Sequence, residues 1–227
     1  MPKGDMFHYP KQAEFNRVLS KTKIYAHAKP GRALKERFVS EIQEIVWIYK
    51  LSPETINLPA RNGIYEIQIF EIALRTEELS EGVLRAIDKA VPSPIIYQLK
   101  FGGRVRFAAA YKRHSEADAS KTVIADYFTT NWQPTAKPLP ALPVVLDLAA
   151  LYEEMLRRVL PLARRNGESL AAYVDRAVQL RATERECRDL EARLRRECQF
   201  NRKVEINAAI RASKRQLEHL KHSESSP

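Results

Sequence analysis

Residues 64 to 74, Ile-Tyr-Glu-Ile-Gln-Ile-Phe-Glu-Ile-Ala-Leu, constrain the fold of this chain more than any other stretch. They are rich in β-branched and aromatic side chains and contain neither Gly nor Pro, which suits an extended strand. Apolar groups fall on both parities: Phe70, Ile72 and Leu74 on one face, Tyr65, Ile67 and Ile69 on the other. A strand that is apolar on both faces must be covered on both, so the stretch predicts a central strand of a layered sheet. Glu66, Gln68 and Glu71 interrupt it. They are either side chains reaching water at the margin of the core or the acids of a site.

The flanking sequence supplies the layers. Residues 10 to 20 predict a short helix with Phe15, Val18 and Leu19 on one side. Lys29-Pro30-Gly31 breaks the chain, and Leu34, Phe38 and Ile42 mark the inner face of a second helix. Ile45 to Leu51 reads as a strand ended by Ser52-Pro53, and a turn at Asn62-Gly63 makes it an antiparallel neighbour of the central strand. Ser80 is placed to cap a helix through Ala90, with Leu79 able to staple onto Leu84. Beyond Pro92-Ser93-Pro94, Ile95 to Phe101 and Val105 to Tyr111 flank Gly102-Gly103 as a hairpin, and Thr122 to Thr130 forms a last strand. This order, α-α-β-β-α-β-β-β, predicts an α+β fold with a sheet of about five strands over residues 1–132.

Residues 133–144 carry prolines at 134, 138, 140 and 143 and read as a stiff connector. A helical module is expected over 145–222, followed by a disordered tail at 223–227. Its first helix carries Leu148, Leu151, Tyr152, Met155, Val159 and Leu160, and ends at Pro161 and Asn166-Gly167. From Leu170 to Leu220 there is no Gly or Pro, and Leu190, Leu194, Ile206, Ile210, Leu217 and Leu220 form an apolar seam. Glu197 and Asn201 interrupt it, so a coiled coil or helical hairpin with a local break is expected. A seam of this length exceeds what the first domain can cover, which marks those six residues for binding a partner or a second copy.

The formal charge is +10, which favours an acidic partner, nucleic acid above all. The charge is spread: 21 Lys+Arg against 15 Asp+Glu before residue 145, and 17 against 13 from there on. No run of apolar residues is long enough to cross a membrane, and no apolar signal region follows Met1-Pro2-Lys3-Gly4-Asp5, so a cytoplasmic protein is expected. Cys187 and Cys198 lie too far apart on a helix to bridge and read as reduced thiols. His8, His27, His114, His219 and His222 are scattered, and neither a metal nor a cofactor is expected.

Two groups of residues could carry function. Glu66-Ile67-Gln68 has the alternating spacing of the Glu-x-Lys element of restriction-nuclease-like folds, with Gln in place of Lys. There, two carboxylates on adjacent strands hold Mg²⁺ against the scissile phosphate. Glu44 or Glu54 would have to be the second acid, with Glu71 near. The second group is the hairpin. Arg104, Arg106 and Lys112 share a face with Ala108 and Ala110, and Lys100 and Arg113 lie close in sequence. Cations over small residues would admit a phosphate backbone.

Several segments agree in order with one family. Ile45-Val46-Trp47-Ile48-Tyr49-Lys50-Leu51-Ser52-Pro53-Glu54-Thr55-Ile56-Asn57-Leu58, then residues 66–71, then Ala90-Val91-Pro92-Ser93-Pro94-Ile95, and in the tail Gln199-Phe200-Asn201-Arg202-Lys203-Val204-Glu205-Ile206-Asn207, resemble a bacterial domain of unknown function, number 4391. The resemblance carries no catalytic residues. It implies a setting, since similar proteins are encoded beside methyltransferases and helicases of restriction-like defence systems. The expectation is a non-catalytic accessory subunit that binds such a methyltransferase or helicase, or itself, through the helices, and nucleic acid through the basic hairpin. The alternative is a divergent Mg²⁺-dependent nuclease centred on Glu66, Gln68 and Glu71.

Overall fold

The computed structural model describes residues 6–114, 122–135 and 139–221. The chain divides into two compact units, Met1–Val159 and Leu160–Pro227.

The first unit is built on a seven-stranded sheet in the order β1-β2-β3-β4-β5-β6, with β7 paired to β5. Its strands are β1 (Glu14–Val18), β2 (Ile42–Leu51), β3 (Ile67–Leu74), β4 (Ile95–Phe101), β5 (Arg104–His114), β6 (Thr122–Thr129) and β7 (Gln133–Pro134). The central position expected for residues 64–74 holds for Ile67–Leu74, whereas Tyr65 lies ahead of the strand and is 72% exposed. β3 lies antiparallel to β2 and parallel to β4. The parallel pair needs a crossover, and α4 (Glu81–Ala90) provides it. Val83, Leu84 and Ile87 of α4 are buried against Phe70, Ile72, Tyr97 and Leu99 in one core cluster. Phe38 of α2 (Arg32–Glu41) and Ile24 of α1 (Lys21–Ala28) complete that layer.

The opposite sheet face is covered over part of its area by α5 (Leu148–Val159), which lies against β5. The β5–β6 register shifts between Ala110 and Lys112. There the Tyr152 hydroxyl accepts from the Lys112 amide at 3.0 Å and donates to the Ala110 carbonyl at 2.9 Å. It supplies the partners that the bulge takes from the ladder.

Four expectations are corrected. The sheet has seven strands rather than about five, because residues 14–18 form an edge strand and not part of a helix, and Gln133–Pro134 adds β7. Phe15 lies against Trp47, ring centroids 4.0 Å apart, while Val18 remains 66% exposed, so the apolar spacing there never marked a helix face. Ile42 begins β2 and does not end α2. Ser80 stands at the N-cap of α4, but its hydroxyl donates to Glu41 and caps nothing. Finally, the supposed connector begins by pairing as β7, and α5 belongs to the first unit rather than to the C-terminal helices.

The second unit is a helical hairpin of α6 (Leu170–Arg196) and α7 (Phe200–Lys221). The break expected near Glu197 and Asn201 is its turn. Glu197 Oε1 accepts from the amides of Cys198 and Gln199, both at 2.9 Å, and so holds the turn ahead of α7. The expected tail at 223–227 lies outside the described residues.

Candidate functional site

The sheet carries four polar groupings, and they do not fall where the sequence alone places them. At the start of β3, Gln68 pairs in register with Lys50 of β2. Glu66 accepts from the Gln68 side-chain amide at 2.6 Å and the Ser93 hydroxyl at 2.7 Å, and pairs with the Lys50 ammonium at 2.8 Å. Burial pushes the Glu66 carboxyl up, but the bonds from Lys50 and Ser93 outweigh it and hold the group below the ordinary carboxylate range. A carboxylate held ionised in this way is a positioned acceptor, not a base poised near neutrality.

A second grouping lies between α4 and the sheet. Asp88 and Lys112 pair at 2.8 Å, and Tyr97 and Tyr127 both donate to Asp88 Oδ2. The Lys112 ammonium also donates to the carbonyls of Val91 and Ser93, at 2.5 and 2.9 Å. Burial raises the Asp88 carboxyl and lowers the Lys112 ammonium despite their attraction. Lys112 is only 2% exposed, so its assignment to a phosphate-binding face is corrected: it anchors the core.

Glu71 is on the other side of the sheet. Alternation along β3 puts Gln68, Phe70 and Ile72 toward α4, and Glu71 away from it. The trio Glu66, Gln68 and Glu71 is therefore split between two faces. Glu71 pairs with Lys100 of β4 at 2.6 Å. Its register partners are Val46 and Gln98, and Glu44 stands one step along β2, opposite Ala73. Glu44, Glu71, Gln98 and Lys100 thus share the part of this face that is not fully buried. Glu54, the other candidate second acid, lies in the short α3 (Pro53–Ile56), away from this row. Among the described residues no three His, Cys, Asp or Glu side chains converge as a metal site, and His222 lies outside them.

The hairpin cations meet acids. Arg104 donates to Glu77 at 3.0 Å, and Arg106 to Glu78 at 3.4 Å. Both guanidinium groups sit over the Trp132 ring, at 5.5 and 4.6 Å from its centroid. Arg113 is exposed at the far end of β5. Sequence reasoning missed Glu77, Glu78 and Trp132 because they come from the loop before α4 and from the link between β6 and β7, far apart in the chain.

In the second unit, the seam expected to bind a partner closes the hairpin on itself. Ile206 and Ile210 are buried with Cys187, and Leu190, Leu194 and Leu217 pack against them; Leu220 is buried as well. Lys214 pairs with Glu191 across the two helices at 2.9 Å. The base of the hairpin is tied by Arg176. It donates to both carboxylate oxygens of Glu168, at 2.7 and 2.8 Å, and to the carbonyls of Leu220 and Ala163, each at 2.8 Å. The apolar groups left outside are Phe200 and Val204, 77% and 50% exposed.

These features define a class: an α+β protein with a mixed seven-stranded sheet and a helical hairpin, whose polar groups are largely committed to one another. Residues 7–217 match the family described as Domain of unknown function (DUF4391), and the chain belongs to that family. No curated protein and no solved structure matches the chain. Among the described residues no helix is long and apolar enough to cross a membrane.

Proposed function

We propose that this chain is a non-catalytic accessory subunit of a DNA-linked complex of the bacterial restriction-like kind, contacting nucleic acid itself and a methyltransferase or helicase of the same locus. The observation that carries the nucleic-acid part is the charge of the second unit. Residues 160–221 hold 15 Lys+Arg against 9 Asp+Glu, a net of +6 in 62 residues. A surface of that sign gathers phosphate without reading sequence. The β-hairpin contributes less to this reading than its sequence suggests, since Lys100, Arg104 and Arg106 each face a carboxylate. The family resemblance in residues 45–58, 66–71, 90–95 and 199–207 supports the setting.

Fluorescence anisotropy of the full chain with labelled DNA tests the reading. The expected result is sequence-independent binding whose affinity falls linearly with salt on logarithmic axes, with no cleavage. Absence of binding at low salt would overturn it. Isolation of the chain from its host with a methyltransferase or helicase attached tests the partner.

One observation favours a second reading, a Mg²⁺-dependent nuclease. The register sets Glu44 and Glu71 on one face of adjacent strands with Lys100 beside them. Two carboxylates and a lysine are the parts such chemistry uses, although the trio named from sequence is not the one assembled.

A further inference from the structure

Phe200 opens α7 and Val204 follows one turn later, so the two share a stripe at the hairpin tip. That stripe faces away from the seam: Val204 lies two residues from buried Ile206, about 200° round the helix. Arg195 and Arg196, at the end of α6, and Lys203, beside the stripe, are all exposed, as is Arg202 on the far side of α7. Among the described residues no ion pair holds any of these four. The one acid of the turn, Glu197, is turned inward onto the amides of Cys198 and Gln199. An exposed aromatic ring thus shares the tip with four exposed cations; Arg195 and Arg202 feel the charges of Glu191 and Glu197, but none of the four is held in an ion pair.

We infer that this tip is a binding site for single-stranded nucleic acid, with Phe200 stacking on an unpaired base while the four cations take the flanking phosphates. The inference rests on the nucleic-acid reading above and assigns it to one place. Charge complementarity selects a polyanion, and the ring selects the single strand. A duplex offers the tip phosphates, but its bases are already stacked on one another; in a single strand each base has a free π-face. The four cations then supply affinity that is independent of sequence.

The test uses the full chain with a labelled mixed-sequence oligonucleotide and the matching duplex. Phe200→Ala is expected to weaken single-strand binding by about tenfold or more while leaving duplex binding unchanged. Phe200→Trp should preserve it. Replacing Arg195, Arg196, Arg202 and Lys203 together with Ala should lower the magnitude of the single-strand salt slope by about 0.7 for each phosphate no longer neutralised. Because Phe200 is exposed, circular dichroism of each variant should match the parent. If the parent binds DNA but Phe200→Ala changes nothing, the tip assignment fails while the general reading stands. If the parent binds no nucleic acid, both fall. If Phe200→Ala leaves oligonucleotide affinity intact but releases a co-purifying protein, the tip is a protein-docking surface and the inference is overturned.

Discussion

Lys112 and Asp88 form an ion pair at 2.8 Å with side chains 2% and 3% exposed, joining β5 to α4 beneath the sheet. Desolvation opposes both charges, so the pair adds less stability than its geometry suggests, yet removing one partner strands the other. Lys112→Met should therefore cost about 3–5 kcal/mol, because Asp88 is left buried with only the hydroxyls of Tyr97 and Tyr127. The double variant with Asp88→Asn should recover most of that loss, since the amide oxygen still accepts from both tyrosines. Urea denaturation of the three proteins decides it; equal losses in the single and double variants would show that the charge is not the issue.

Glu168 offers a pH-dependent case in the other unit. The paired Nε and Nη2 bonds from Arg176 hold its carboxyl below the ordinary range, outweighing burial. Its folded-state pKa is thus lower than the unfolded one, near 4.3 for a free glutamate as an approximate reference. The resulting stability is present above the unfolded pKa and is lost as pH falls through the folded value. Thermal melts between neutral and acid pH should show this loss in the parent and a flatter profile in Glu168→Gln. Arg176→Lys should not match the parent's stability, because one ammonium cannot span both carboxylate oxygens and the carbonyls of Leu220 and Ala163.

The contrast between Lys112 and Lys100 shows how far the sequence could be read. Both parities of residues 64–74 are apolar, and that alone places β3 inside the sheet. Ile95–Phe101 and the Gly102-Gly103 turn are equally legible, and both glycines have positive φ, 54° and 75°. Alternation also puts Arg104, Arg106 and Lys112 on one face correctly. Which way that face points is not in the pattern, because Ala108 and Ala110 suit an outer surface and a close-packed inner one equally. Only α4, arriving from elsewhere in the chain with Asp88, decides it. The seam of the last helices has the same ambiguity: Leu190, Ile206 and Ile210 read alike whether they meet a partner or each other.

The β-hairpin arginines give a third prediction. Arg104 and Arg106 are each matched by a glutamate and stacked over Trp132, so a phosphate must displace a carboxylate to reach them. Changing both to Ala should leave DNA affinity within about twofold and the salt slope nearly unchanged, since an arginine that displaces no counterion from the DNA adds no slope. The loss should show instead in stability, as the packing of Arg106 over the indole disappears; its side chain is only 11% exposed. A drop in slope of about 0.9 per arginine on duplex DNA would return these residues to the interface.

The last prediction separates the accessory protein from the nuclease. Glu71 and Glu44 share a sheet face, but Lys100 already sits 2.6 Å from Glu71 and neutralises it. A divalent ion entering there must displace that ammonium, which already supplies the positive charge that Glu71 needs. Purified full-length chain should therefore leave DNA uncut in Mg²⁺ or Mn²⁺. Lys100→Ala should cost at most about 1 kcal/mol, as expected for a pair in which the lysine side chain is 42% exposed. Glu66→Gln, on the opposite face, serves as the control: it should lower stability by removing the Lys50 ion pair and touch no metal chemistry. Cleavage that requires a divalent ion, disappears in Glu71→Gln and survives Glu66→Gln would make the open sheet face a catalytic centre and end the accessory reading. The split of Glu66 from Glu71 across the sheet is what allows one pair of variants to decide between them.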